Sequence, residues 1–65
     1  MTRVEKINKA VLEFHTPDGD TLSIILHDKN TVFTIDNFEY PLSAVIDNDA
    51  LPKLIEFLQQ QLPRE

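Results

Sequence analysis

Polar and apolar positions alternate along much of the 65-residue chain, and one short polar break organises the first third of it. Thr16-Pro17-Asp18-Gly19-Asp20 is a turn signal: Pro17 pre-sets φ, and Gly19 accepts the left-handed position that follows. A three-residue loop there pairs Thr16 with Asp20. Counting outward, Phe14 faces Leu22, Leu12 faces Ile24, and Ala10 faces Leu26. Paired residues of an antiparallel ladder lie on one side of a sheet, so six apolar side chains share a face. The spacing predicts a hairpin of residues 9–16 and 20–27.

A second turn falls near His27-Asp28-Lys29-Asn30-Thr31. A two-residue loop at Lys29-Asn30 or a four-residue loop over 28–31 pairs Leu26 with Phe33. A three-residue loop would put Phe33 opposite Ile25 and turn every later side chain to the other face, so it is rejected. In residues 31–42, TVFTIDNFEYPL, a two-residue turn at Asp36-Asn37 sets Ile35 against Phe38 and Phe33 against Tyr40. One straight strand would instead divide these groups between two faces. The expectation is two strands, 31–35 and 38–42. Pro41 cannot donate to a ladder and suits the edge position that a meander gives the last strand.

Residues 47–65 carry a helical pattern, with Leu51, Leu54, Ile55, Leu58 and Leu62 in one stripe. Asn48 or Asp49 is expected to cap the helix, Pro52 fits its first turn, and Pro63 stops it. Residues 43–47 read as a connection that tucks Val45 and Ile46 under the helix end. Residues 1–8 read as an extended start of the first strand. The resulting fold class is α+β: a four-stranded antiparallel β-meander with one C-terminal α-helix packed on one face, as a single domain over 1–65.

Composition narrows function more than it names it. Six Lys and Arg against eleven Asp and Glu give a net charge of −5. Arg3, Lys6 and Lys9 against Glu5 leave the first nine residues at +2, and the remainder, three basic groups against ten acids, at −7. An acidic body opposes phosphate binding and adhesion to anionic membranes, so neither nucleic acid nor a membrane is an expected partner. With no cysteine there is neither a disulfide framework nor a thiolate metal site. The N-terminus lacks the apolar core of a signal peptide, and no apolar run is long enough to span a bilayer, so a cytoplasmic protein is expected.

Candidate chemistry is thin. On the expected hairpin His15 and His27 stand about 20 Å apart, too far to share an ion. His15 beside the turn aspartates has no ligand spacing of a known kind. Ser23 and Ser43 have no expected histidine within reach. No catalytic residue, metal or cofactor is therefore expected. Phe14, Phe33, Phe38 and Tyr40 read as core packing.

The outer face of the sheet is more informative. In the expected register Val11 pairs with Ile25, which pairs with Thr34, and His27 pairs with Val32. Val11, Ile25 and Val32 then form an apolar cluster away from the helix, and Phe57 lies on a helix flank. Val11, Ile25, His27, Val32, Thr34 and Phe57 are the candidate interaction surface. The expected function is a non-enzymatic protein-interaction domain, a homodimeric accessory or regulatory factor with itself or another protein as partner. Its dimer contact would be the sheet face or the free edge of the first strand. The alternative is an acidic inhibitor that mimics nucleic acid and blocks a basic site on a nucleic-acid-binding protein.

Overall fold

The computed structural model describes residues 1–37 and 41–62. Five strands form one antiparallel sheet in the order of the chain: β1 (Arg3–Asn8), β2 (Val11–His15), β3 (Thr21–Leu26), β4 (Asn30–Asp36) and β5 (Leu42–Asp47). A single 3-10 turn (Asn48–Ala50) leads into the helix α1 (Leu51–Gln59). The class is α+β, as expected, with five strands where four were expected.

The β2–β3 hairpin follows the sequence pattern. Phe14 pairs with Leu22 and Leu12 with Ile24, and the Leu26 N–H donates to the Ala10 carbonyl at 2.8 Å. The Thr16 N–H donates to the Asp20 carbonyl at 3.0 Å, and Gly19 takes φ 93°, where any Cβ would clash.

The fifth strand comes from residues 1–8. They form β1, which folds back on β2 through a turn at Lys9-Ala10 instead of extending it. The Ala10 N–H donates to Asn8 Oδ1 at 2.8 Å, an Asx turn that needs no glycine. The register shifts between Lys6 and Asn8, leaving Ile7 as the extra residue of a bulge. That extra residue gives Val4, Ile7 and Val11 their helix-like spacing and breaks the alternation that would have announced a strand.

The β3–β4 loop is Asp28-Lys29, with the His27 N–H donating to the Asn30 carbonyl at 2.9 Å. Leu26 consequently pairs with Thr31 and Ile24 with Phe33, two residues away from the expected register. A shift of two preserves the faces, so Phe33 still joins Ile24 and Leu26. The loop is chosen by a residue distant in sequence. The Asn48 amide donates from Nδ2 to the carbonyls of His27 and Asp28, both at 3.3 Å, and Oδ1 accepts from the Thr31 hydroxyl at 2.8 Å. The Asn48 N–H adds a bond to the Lys29 carbonyl at 3.0 Å.

Residues 31–42 are not one strand, but Asp36 is not a turn residue. Asp36 remains in β4 opposite Thr21, and Ile35 pairs with Leu42. The pairings expected for Phe38 and Tyr40 lie outside the described residues, whereas the helix expected to run to Pro63 ends at Gln59, which leaves Leu62 out of its stripe. Residues 43–47 are strand rather than connection: Leu42, Ala44 and Ile46 alternate with Ser43 and Val45 across the two faces. Pro41 immediately precedes this edge strand.

The helix is the largest departure. It begins with Pro52 in its first turn, but no side chain caps it, because Asn48 is committed to the β3–β4 turn. It does not lie over the sheet: among the described residues its one extensive contact is with the 3-10 turn that precedes it. The chain is correspondingly open, with a radius of gyration of 13.0 Å, against about 11 Å for a compact domain of this length. Among the described residues no apolar side chain is buried, and Thr31, 1% exposed beneath Asn48, is the single buried residue. No helix among them is long and apolar enough to cross a membrane.

Asn48→Ala should cost about 1–3 kcal/mol of stability in urea unfolding, since it leaves the buried Thr31 hydroxyl without its partner and removes two bonds to the turn carbonyls. Adding Thr31→Val to that variant should cost less than the two changes summed, because the hydroxyl left without a partner is then gone.

Candidate interaction surfaces

Because α1 leaves the sheet, the inner face stands open. Its rows are read directly from the register. Val4, Phe14, Leu22, Ile35 and Leu42 cross all five strands, and Lys6, Leu12, Ile24, Phe33 and Ala44 lie beside them. A third row runs Leu26, Thr31, Ile46. Lys6, on edge strand β1, supplies the one charge in these rows. The central strands shelter one another only in part, and the rim is exposed: Val4 is 55% accessible and Leu42 62%. A concavity of about 350 Å³ opens toward the β1–β2 turn, its lining including Leu12, Ile24 and Leu26.

The helix presents a matching surface. Leu51 and Leu54 are half-buried near its start, while Ile55 and Leu58 are 55% and 51% accessible. Phe57 is 62% exposed on the flank, so the apolar side of α1 is broad. Lys53 and Glu56, an exposed pair 4.0 Å apart, mark the polar side.

The outer face holds the residues singled out by sequence, in a changed arrangement. Val11 pairs with Ile25 as expected, but Ile25 pairs with Val32 rather than Thr34, and Val32 with Val45. The cluster is therefore a continuous row of four apolar residues across β2 to β5. Thr34 belongs to the next row, with its hydroxyl 3.2 Å from that of Ser43. His27 stands at the β3–β4 turn opposite Asn30, not Val32. Phe57 shares no face with them. The free edge expected for the 9–16 strand is covered by β1, whose own edge is guarded by Arg3, Glu5 and Lys6.

Sequence reasoning left His15 without partners, and β1 supplies one. Glu5 pairs with Glu13 across β1 and β2, on the same face as His15. His15 Nε2 lies 3.2 Å from Glu13 Oε1 and 3.7 Å from Glu5 Oε2, while Nδ1 is 3.3 Å from the Thr21 hydroxyl. The three ligand atoms lie within 4.8 Å of one another, close enough to hold a cation. Two features work against it. Arg3 on β1 pairs with His15 on β2, which brings a positive charge to the same row. The group sits on an open, partly exposed sheet face with no cleft around it. The i, i+2 placement of Glu13 and His15 was the available signal; Glu5 was invisible while β1 was unassigned.

Comparison with protein-family models, with curated proteins and with solved structures finds no match to this chain.

Low-micromolar Zn²⁺ or Mn²⁺ should leave the Tm unchanged, because an ion that bound only the native state would raise it. A rise in Tm that disappears in His15→Ala would instead establish a cation site at Glu5, Glu13 and His15.

Proposed function

We propose that this chain is a non-enzymatic protein-interaction domain, an accessory or regulatory factor whose working form is a homodimer. The observation that carries this reading is the accessible surface of 5772 Å². A compact monomer of this mass exposes about 4,200 Å². The excess is about 1,500 Å² per chain, so covering it in two copies would bury about 3,000 Å², within the range of obligate homodimers.

Closed two-fold association is the commonest way for a small chain to cover such a surface. The concavity described above is lined mainly by apolar groups, and the His15 cluster lies on an open face, an arrangement suited to contact rather than chemistry. The net charge of −5 further favours a protein partner over a phosphate backbone. The inner face is the larger of the two apolar surfaces and is the dimer contact in this reading. The outer row, Val11, Ile25, Val32 and Val45, shares its face with Glu5, Glu13 and His15 and is too narrow to account for the excess.

Sedimentation equilibrium should give twice the 7.5 kDa chain mass across the micromolar range. Ile25→Lys, on the outer face, should leave that mass unchanged, and Ile24→Lys, one residue away on the inner face, should lower it. A wild type that stays monomeric at high micromolar concentration removes the homodimer.

A further inference from the structure

We infer that the occupant of the inner sheet face is α1 of a second copy, the two chains exchanging helices across a two-fold axis. This deepens the homodimer reading and rests on it. It follows from two unsatisfied surfaces in one chain and from the rigidity of what joins them.

A nine-residue helix has too little intrinsic stability to stand alone in water, so α1 needs an apolar surface to lie on. The inner sheet face needs an apolar element to cover it. Both are exposed in the single chain, and the path between them is stiff. β5 passes without a loop into the 3-10 turn, the one glycine of the chain is far away at Gly19, and Pro52 fixes the first turn of the helix. Asn48, at the start of that turn, is held to the Lys29 carbonyl by its backbone and to Thr31, His27 and Asp28 by its side chain. This clamp fixes the point at which the chain leaves the sheet, three residues before α1 begins.

A second copy removes the conflict with no rearrangement. Each chain brings one helix and one open face, so a two-fold operation satisfies both at once, whereas an unrelated partner would have to cover the face and supply a bed for the helix separately. The surfaces also correspond in character. The stripe of Leu51, Leu54, Ile55 and Leu58 carries no charge, and the sheet rows carry only Lys6, at the margin. The concavity over Leu12, Ile24 and Leu26, whose lining also includes Lys6, Asn8 and Lys9, is large enough to receive side chains from the broad apolar side of the incoming helix.

The absence of cysteine makes the arrangement directly testable. Leu22→Cys marks the inner face and Ile55→Cys marks the helix. The two single variants, refolded together and treated with a short bis-maleimide, should give a covalent heterodimer, and the double variant should cross-link between chains. A double variant that cross-links only within one chain, while the wild type sediments as a dimer, overturns helix exchange and leaves the homodimer standing. A monomeric wild type removes both. Should either substitution prevent folding, isotope-filtered NMR on mixed labelled and unlabelled wild type decides. Cross-chain contacts between the methyls of Ile55 or Leu58 and those of Leu22 or Ile24 are expected, and finding those contacts only within a chain overturns the exchange.

Discussion

The Asn48 amide joins three parts of the chain that are distant in sequence. Its oxygen accepts from the Thr31 hydroxyl on β4, its nitrogen holds two carbonyls of the β3–β4 turn, and its backbone starts the turn into α1. A side chain with a donor and an acceptor at one end can do all of this together; aspartate would lack the donor. The consequences spread outward. The turn is set at Asp28-Lys29, that turn fixes which residues of β4 face β3, and the helix leaves the sheet in one direction. Thr31 is the most buried of the described residues because it lies beneath this clamp.

The direction of departure sets the energetic problem. Five strands align apolar residues in continuous rows, yet a single sheet layer has nothing to bury them against. A helix over the inner face would have made a two-layer domain with an ordinary core. With α1 projecting instead, hydrophobic burial within one chain is incomplete on both elements, and for a chain this short the margin is small from the outset. In the proposed dimer, association is a condition of the folded state, not an addition to it.

What was legible in the sequence was whatever depended on neighbours. The β2–β3 hairpin followed from Pro17, Gly19 and alternation, and Pro52 marked the first turn of the helix. Face assignments survived the two-residue register change at β3–β4 because parity is insensitive to even shifts. What was lost depended on bulges or distant partners. Ile7 disguised β1 by adding one residue to the alternation, and an Asx turn at Asn8 gave no glycine or proline signal. Ser43 to Asp47 read as a connection because the last strand had been placed at 38–42; only the pairing with β4 makes them strand. Asn48 looked like a helix cap because caps are its commonest use; its actual partners come from residues 27 to 31. The His15 cluster was missed for the same reason as β1, since Glu5 belongs to it. Helix placement followed from the assumption that complementary surfaces in one chain must meet within that chain.

Hydrogen exchange of the α1 amides as a function of protein concentration tests the central claim most directly. Protection of residues 54–59 should rise with concentration and track that of the inner-face strands, because both are stabilised by the same association. Protection of α1 that is strong and unchanged on dilution to the monomer would contradict the account, since it would mean that the helix is satisfied within its own chain.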